Sequence, residues 1–368
     1  MSSVSVVVPV YRDGSFLLDS LENILSSNSL SEVVLVVDEP TPTFLKKLNS
    51  LKNFPKLKIV VNSTRNGKVS ALNEGVKLTR GNILLFLDSD VSIPENGFVD
   101  KLVKEMDGYD IVDIKKEIVP EGFLGKMMYY DYLSFNIASW LFCRLLKRLP
   151  AINGAAFAVK RRGFDEVGFF NRVVSEDLDW GFRAFRRKLR VKYAYNICVK
   201  VKPITSWRKW FEQRKRWAFG FSEWFVKNFK EILATLIRYP FIVIPCSIMA
   251  LPSISIILLD FLVNDEIVLK MLSIFFITTV TKIGLPFLPI AVSVNIALAL
   301  KEALILTASF TVSSAATGVI AKKLGYKFKL HEYAVYYFTY SLAWLMILLS
   351  ALLCYTVTRK IPKLDWKV

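Results

Sequence analysis

Residues 83–90 read ILLFLDSD, five apolar residues followed by two aspartates that flank a serine. Similar apolar runs occur at residues 4–11 (VSVVVPVY), 33–37 (VVLVV) and 57–61 (LKIVV), and helical patterns separate them. Apolar strands that alternate with helices predict a mostly parallel sheet covered on both faces. The sequence therefore predicts an α/β, Rossmann-like nucleotide-binding domain over residues 1–205.

Three aspartates follow these apolar runs. Asp38 comes directly after the second run, and Asp88 and Asp90 follow the fourth. Because ligands of such sheets bind beyond the carboxyl ends of the strands, these side chains are expected to share one site. Two carboxylates one residue apart suit Mg2+ or Mn2+, which would bridge the oxygens of a departing diphosphate. Asp38 would accept a hydrogen bond from a nucleobase or ribose, or it forms the turn before Pro40.

The composition excludes several classes of site. The chain has 49 Lys+Arg against 32 Asp+Glu, a formal charge of +17, and its single histidine is His331. This excludes a His-based zinc site and a Ser-His-Asp triad from the soluble part. The four cysteines lack C-x-x-C spacing, so neither a zinc site nor a disulfide framework is indicated. We assign the basic charge to a membrane partner, because no nucleic-acid-binding motif accompanies it.

Two segments before residue 160 carry further candidate residues. Lys68 follows an Asn-Gly pair at a helix start, where it would meet phosphate, or the segment is simply a capped turn. Asn153 and Gly154 are followed by small residues, which would let a substrate lie against the backbone. The alternative for that segment is a close-packed strand.

Two later segments carry an acid pair and an aromatic, basic motif. Glu176 and Asp177 follow a serine, so they read first as a helix cap, and only the companion motifs make Asp177 a general base. Gln213, Arg216 and Trp217 lie on one helical stretch. Arg216 could pair with a phosphate and Trp217 could stack on a sugar ring, or the segment anchors in the membrane interface.

The second half of the chain predicts membrane association. Residues 206–232 interleave tryptophans with basic residues at helical spacing, which predicts an amphipathic helix in the headgroup layer. Residues 233–368 are mostly apolar and predict about four spans, the first at residues 237–263. Basic loops in this region leave a count of four or five open. Residues 123–149 predict either a lipid-contacting amphipathic helix or an ordinary packed helix.

In combination, these motifs resemble family 2 glycosyltransferases over roughly the first 230 residues. The resemblance rests on VSVVVPVYRDG at residues 4–14, Asp38, GK and ALN within residues 67–73, Asp88-Ser89-Asp90, Glu176-Asp177 and Q-x-x-R-W at residues 213–217. The last element is similar to that of the membrane-integrated branch, which includes cellulose, hyaluronan and chitin synthases and ceramide glucosyltransferase.

The resemblance implies a GT-A type fold and inverting transfer by one direct displacement. It implies that Asp177, with Glu176 beside it, deprotonates the acceptor hydroxyl, and that Asp88 and Asp90 hold Mg2+ or Mn2+. The implied donor-binding residues are Pro9, Tyr11, Asp38, Lys68, Asp88, Gln213, Arg216 and Trp217, and the implied acceptor-binding residues are Asn153, Gly154 and Trp217.

We therefore expect a membrane-bound, metal-dependent, inverting glycosyltransferase whose catalytic domain faces the cytosol at the cell membrane. It would move a sugar from a nucleoside-diphosphate sugar to a lipid-linked or growing glycan acceptor. After Asp38 the residues are Glu39-Pro40-Thr41, where the family usually has a second acid and Gly-Ser. This leaves the nucleobase contacts open, and UDP is expected rather than GDP.

Three other functions compete with this expectation. A processive polysaccharide synthase is one, but those synthases carry spanning helices before the catalytic domain, so a single transfer is expected as readily. A transporter or channel with a regulatory nucleotide-binding domain would leave Asp177 and the Q-x-x-R-W element unexplained. A nucleotidyltransferase needs a Gly-rich basic opening loop, which residues 9–14 do not match. No motif indicates an oligomeric state.

Overall fold

The structure, a computed structural model, describes residues 3–18, 20–51, 54–283 and 290–363. Its strands are β1 (Val4–Tyr11), β2 (Leu30–Asp38), β3 (Leu57–Asn62), β4 (Ile83–Leu87), β5 (Val91–Ser92), β6 (Ile111–Ile118), β7 (Ala156–Lys160) and β8 (Val191–Val201).

Sixteen α-helices connect and follow these strands within the described residues. They are α1 (Ser15–Leu18), α2 (Leu21–Leu25), α3 (Pro42–Leu51), α4 (Lys68–Lys77), α5 (Phe98–Glu105), α6 (Gly122–Leu146), α7 (Arg161–Val167), α8 (Glu176–Arg186), α9 (Trp207–Lys227), α10 (Phe229–Arg238), α11 (Pro240–Ala250), α12 (Ile254–Leu262), α13 (Asp265–Ile283), α14 (Ile290–Lys323), α15 (Leu330–Val335) and α16 (Ser341–Thr358). A π-helical turn at Tyr336–Tyr340 joins the last two.

The eight strands form one sheet in the order β3-β2-β1-β4-β7-β6-β8-β5. The β3-β2-β1-β4 half is parallel throughout, whereas β7 pairs antiparallel with both β4 and β6. The prediction of a mostly parallel α/β domain is confirmed. Because β1, β2 and β4 run the same way, Tyr11, Asp38 and Asp88 leave the sheet at one edge.

Burial on both faces explains why these strands read as unbroken apolar runs. Val6, Val8 and Leu35 have no exposed surface, and helices cover them on either side. Close packing is visible at Gly75 of α4, where an added Cβ would lie 2.5 Å from Val7 Cγ1. Any larger residue there would push α4 off the sheet, and α4 begins at the candidate residue Lys68.

The long helix α6 settles one alternative left open by the sequence. Most of its residues are buried, including Tyr130, Leu133 and Ile137, and it packs between the sheet and the helices of the second half. It is therefore an ordinary packed helix, since little of its surface is free to contact lipid.

Helix α9 lies within the segment predicted over residues 206–232, and part of it is buried. Trp210, Arg214 and Phe219 are buried, and the helix packs against α16. The indole Nε1 of Trp210 donates to Tyr340 Oη at 2.8 Å. Trp210 is therefore packed inside the protein, whereas Trp207 and Phe211 of the same helix are exposed, and the headgroup placement of this segment stays a prediction.

Among the described residues, two helices are long and apolar enough to cross a membrane, Leu298–Lys323 and Leu330–Thr358. The expected continuous span over residues 237–263 is not one helix. It is divided among the end of α10, α11 and α12, with a bend of 115° between α10 and α11. Pro240 and Pro252 stand at the two breaks, where a missing N–H and a fixed φ favour interruption. Counting α10 and α11 as one broken span gives up to three, and about four spans stays a prediction.

Candidate active site

A cavity of about 200 Å3 lies at the carboxyl edge of β1, β2 and β4. Seven of the residues singled out from the sequence line it: Pro9, Tyr11, Asp38, Lys68, Asp88, Asp90 and Arg216. Arg216 belongs to α9, which follows the last strand in the chain. This helix therefore forms one wall of the cavity. We call it the donor cavity.

Asp38 lies at the donor cavity, but its oxygens are already engaged. Oδ2 accepts the backbone N–H groups of Asn66 and Gly67 at 2.8 Å each, and Oδ1 accepts from Asn62 Nδ2 at 3.0 Å. The carboxylate therefore ties the end of β2 to the loop that leads into α4. This is the loop-forming alternative, and a contact with a nucleobase stays a prediction.

Lys68, the first residue of α4, bridges two acids. Its Nζ lies 2.8 Å from Asp88 Oδ1 and 3.0 Å from Glu176 Oε1. Burial alone would lower the pKa of Lys68, but Asp88, Glu176 and Asp177 outweigh burial and hold that pKa above its ordinary value. Lys68 is therefore a fixed cation that joins the sheet edge to α8, at a place where a phosphate would also meet it.

Asp88 and Asp90 form the pair expected to hold a metal. The Asp88 N–H donates to Ala155 O at 3.0 Å, and the Asp90 carbonyl accepts from the Lys202 N–H at 2.9 Å. Burial, and then the neighbouring Asp88 carboxylate, raise the pKa of Asp90 to about 6. Two carboxylates that repel each other at the donor cavity fit a divalent cation, which would neutralise both.

The chain supplies only part of a coordination sphere. No group of three or more His, Cys, Asp or Glu side chains able to hold a metal occurs in the described part of the chain. Asp88 and Asp90 would therefore need oxygens from a bound diphosphate or water to complete the octahedral geometry that Mg2+ prefers.

Glu176 and Asp177 begin α8 and point to different partners. Glu176 is buried, and burial raises its pKa although Lys68 opposes the change. Asp177 Oδ2 accepts the Gly154 N–H at 2.9 Å, and Oδ1 accepts the Leu178 N–H at 2.8 Å. The preceding Ser175 makes no side-chain capping bond. The first turn of α8 is thus organised around the carboxylates rather than around a serine cap.

A second, larger cavity of about 460 Å3 begins where the donor cavity ends. Both are lined by Lys68, Asp88, Asp90 and Arg216. Asn153, Glu176, Asp177, Gln213 and Trp217 line only the second one. The rest of its wall is largely apolar and comes mainly from α6, α9, α11, α12 and α16, including Phe135, Phe142, Phe221, Ile254 and Leu348. We call it the apolar cavity.

The structure thus brings the predicted site residues together, and their individual roles stay predictions. Gly154 contributes its N–H to Asp177 rather than a cavity wall. Gln213, Arg216 and Trp217 reach the site because α9 crosses the start of α8 closely. An added Cβ on Gly220 would lie 2.1 Å from Ser175 Oγ and 3.2 Å from Ser175 Cβ, so the missing side chain of Gly220 favours this close approach.

Two features at the site were missed from the sequence. Arg65 lines the donor cavity, and its guanidinium lies 4.1 Å from the Tyr11 ring centroid. Arg214 is fully buried beside Trp217, with Nη2 2.7 Å from Asp131 Oδ2 of α6. The signal for the second was present, since Asp131 is a lone acid in an apolar helix and Arg214 lies inside the Q-x-x-R-W element. The sequence around either residue does not indicate that Asp131 and Arg214 form a pair.

The first part of the chain is similar to known proteins. Residues 5–168 match the family model described as Glycosyl transferase family 2. The match runs from β1 to the end of α7, so it includes Asp38, Asp88 and Asp90. It stops before Asp177 and α9, so the roles of those residues do not follow from it.

Curated relatives agree with the family 2 match. The chain is 23% identical over 251 residues to a poly-beta-1,6-N-acetyl-D-glucosamine synthase of Staphylococcus aureus and 22% identical over 241 residues to that of Staphylococcus epidermidis. These alignments cover 65% and 64% of this chain, and the chain spans only 59% and 58% of the relatives' lengths. Together with the family 2 match, they support a glycosyltransferase as the class of enzyme.

A solved structure extends the similarity of fold to the second half. The mannosyltransferase PcManGT from Pyrobaculum calidifontis, in complex with GDP-Man and Mn2+, matches with a TM-score of 0.55 at 18% identity. The match covers 97% of this chain and 87% of that one. The sheet and the helices after it therefore share an architecture with that protein.

Proposed function

We propose that this chain is a membrane-bound, metal-dependent, inverting glycosyltransferase that moves a sugar from a nucleoside-diphosphate sugar to a lipid-linked acceptor. The observation that carries the proposal is the meeting of two cavities at four charged residues, Lys68, Asp88, Asp90 and Arg216. One cavity has a polar, charged floor suited to a diphosphate, and the other has apolar walls suited to a lipid.

The donor would lie in the donor cavity. Lys68 and Arg216 would pair with the diphosphate oxygens, and Asp88 and Asp90 would hold Mg2+ or Mn2+. When bound, the cation would neutralise charge that develops on the departing diphosphate. The solved relative's complex with GDP-Man and Mn2+ supports a nucleotide sugar and a cation here. That complex contains GDP, whereas the sequence leads us to expect UDP, so the test includes sugars of both nucleotides.

Asp177 would be the base. Glu176 is held by Lys68, whereas Asp177 lies at the apolar cavity with its carboxylate fixed by the N–H groups of Gly154 and Leu178. A fixed carboxylate within reach of an acceptor hydroxyl can take its proton as the hydroxyl attacks the sugar. One base suffices for a single displacement with inversion, and no second carboxylate nucleophile is needed.

The acceptor would enter through the apolar cavity. Its side walls are mostly aliphatic and aromatic, and α11 and α16, which belong to candidate spans, contribute to them. Such walls bind an apolar chain better than a sugar polymer, which needs many polar partners. Trp217 and Asn153 at the polar end would contact the acceptor's head. The catalytic domain would then face the cytosol at the cell membrane.

A processive polysaccharide synthase is the second candidate, because the curated relatives are named as synthases of a polymer. The two candidates differ in the product. Single transfer gives a lipid that carries one sugar, and processive synthesis gives a ladder of lengths.

The test is to incubate the purified protein, reconstituted in lipid, with UDP- and GDP-sugars and Mg2+ or Mn2+. Mass spectrometry of the lipid fraction would identify donor and acceptor together. Release of UDP or GDP with a sugar-bearing lipid supports the proposal, and a ladder of glycans favours the processive candidate. Nucleotide binding without any sugar transfer would instead favour a transporter with a regulatory nucleotide-binding domain.

A further inference from the structure

Helix α10 carries a largely exposed apolar stripe, and the first residue of this stripe, Phe229, also contacts the ring of Phe225 at a centroid distance of 5.6 Å. Phe229, Leu233 and Ile237 recur every four residues, so they share one face, and they are 49%, 41% and 71% exposed. No residue of α10 is buried. Phe241, just beyond the helix, is 92% exposed. A face of this kind is costly in water and indicates that something apolar covers it.

Polar contacts hold the other side of α10 to the catalytic domain. Glu231 Oε1 lies 3.7 Å from Arg186 Nη1 at the end of α8, the helix that begins at Glu176 and Asp177. Just after α10, Tyr239 Oη accepts from Arg148 Nη2 at 3.3 Å. These two contacts leave the apolar stripe directed away from the catalytic domain.

The bend after α10 indicates what covers the stripe. Tyr239 leaves the helical conformation at φ −133° and ψ 50°, Pro240 starts α11, and the two helix axes differ by 115°. A helix turned this sharply against the apolar helix that follows it has the arrangement of a segment lying along a bilayer surface. Basic residues at the ends of α10, Lys230 and Arg238, suit anionic headgroups.

We propose that α10 is the helix that lies in the headgroup layer, with Phe229, Leu233 and Ile237 inserted among the acyl chains. The inference rests on the membrane placement in the proposed function. It replaces α9 by α10 as the interfacial helix, because α9 is occupied by packing against α16. The occupant of the apolar stripe is therefore the bilayer surface.

This placement has a consequence for the acceptor. Helix α11 starts directly after the bend and contributes Cys246, Ser247 and Ala250 to the apolar cavity. If α10 lies at the headgroup level, these residues lie within about three turns of it, at the depth where acyl chains begin. Glu231 contacts Arg186 at the end of α8. This contact would keep α8, and with it the Asp177 carboxylate at the start of that helix, at a fixed height above the headgroup level.

The experiment is a depth measurement by spin labelling of the full chain in liposomes that contain anionic phospholipid. The background has Cys198, Cys246 and Cys354 replaced by serine, since Cys143 is buried and lines neither cavity. Labels are placed one at a time by Leu233→Cys and Ile237→Cys on the stripe. Ala234→Cys is the control on the same helix, exposed and turned about 100° from Leu233 at the centre of the stripe and about 60° from Ile237 at its margin. Met346→Cys, 63% exposed in α16, reports on a candidate span.

The proposal expects the labels at 233 and 237 to collide with oxygen more, and with a water-soluble nickel complex less, than the label at 234. If 233 and 237 match 234 in their access to nickel while 346 is shielded by lipid, the inference about α10 is overturned and the membrane placement stands. If 346 is also open to nickel, the membrane placement itself fails. Spin–spin broadening at 237 that disappears when labelled protein is diluted with unlabelled protein would assign the stripe to a second copy and would also overturn the proposal.

Discussion

The backbone N–H of Gly154 donates to Asp177 Oδ2 at 2.9 Å and so joins the segment before β7 to the first turn of α8. The neighbouring Ala155 carbonyl accepts from the Asp88 N–H. One short segment therefore contacts both the carboxylate proposed as base and the first residue of the pair proposed to hold a metal. This explains why an Asn-Gly pair and two separated acid motifs lie close together.

Replacing Gly154 by alanine tests this link. An added Cβ would lie 3.0 Å from Asp177 Oδ2 and 3.1 Å from its Cβ, so the carboxylate must move by a few tenths of an ångström. We expect Gly154→Ala to lower turnover on the order of tenfold, because the base is displaced, while donor affinity changes little. Initial rates and donor titration calorimetry measure the two quantities.

Gly163→Ala is the matched control, since the nearest atom to its added Cβ is 3.5 Å away, an ordinary contact. Equal turnover in both variants and in the parent protein would show that the Gly154 contact does not position Asp177.

The buried pair of Arg214 and Asp131 should stabilise the junction between α6 and α9. Both side chains are fully buried, and the guanidinium also lies 4.3 Å from the Trp217 ring centroid and 5.2 Å from that of Trp344. Arg214→Met leaves a buried carboxylate unpaired, which costs about 3–5 kcal/mol. We expect Asp131→Asn to destabilise as well, and the double variant to lose less than the sum of the two.

Denaturant unfolding of the four proteins in detergent measures this coupling. Losses that simply add would mean that the pair contributes no specific interaction, despite the 2.7 Å approach of Nη2 to Oδ2.

Glu32 predicts a pH dependence of stability. Burial alone would raise its pKa, but hydrogen bonds from Ser5, the Arg80 N–H and Lys58 outweigh burial and lower the pKa to about 2. Because the folded-state pKa lies below the ordinary 4.5, this stabilisation is present above pH 4.5 and is lost as the pH falls toward 2. The shift corresponds to on the order of 3 kcal/mol.

Glu32→Gln should therefore lower the unfolding temperature at neutral pH and flatten its fall between pH 4.5 and 2. Glu166→Gln, a change to an exposed glutamate of α7, is the control. A variant at residue 32 that keeps the parent's slope in this window would contradict the assignment.

The sheet edge could be predicted from the sequence because local pattern and tertiary position coincide there. A strand buried on both faces must be apolar throughout, and the polar residue that ends it must lie at the carboxyl end of the strand. The positions of Asp38 and Asp88 in the sheet could therefore be predicted from the sequence. The acid pair at residues 176 and 177 needed the family resemblance, since a helix cap has the same local pattern.

The helical half was less predictable, for a physical reason. Amphipathic spacing places Trp210 on one face of α9 but does not say whether lipid, headgroups or α16 covers that face. The pairing of Arg214 with Asp131 joins residues 83 positions apart, and nothing in either neighbourhood indicates it. Likewise, the run over residues 237–263 has the composition of a span, and its bend falls at Pro240, close to the contacts that Arg148 and Arg186 make with this part of the chain.

Removal of divalent cations tests the carboxylate pair. If Asp88 and Asp90 hold Mg2+ or Mn2+, excess EDTA should abolish both transfer and donor hydrolysis, and either cation should restore them. Asp90→Asn should raise the concentration of Mg2+ or Mn2+ needed to restore transfer after EDTA treatment. Full activity in EDTA would remove the metal from the proposed mechanism.

The most direct measurement of the central claim compares transfer with donor binding in Asp177→Asn. Asp179→Asn is the control, because Asp179 lies in the same first turn of α8 but pairs with Arg183 outside both cavities. With Asp177 as the base, transfer should fall at least about 100-fold while the donor dissociation constant stays near that of the parent protein. Near-normal turnover in Asp177→Asn would contradict the assignment of the base, and with it the reading of the two cavities as one transferase site.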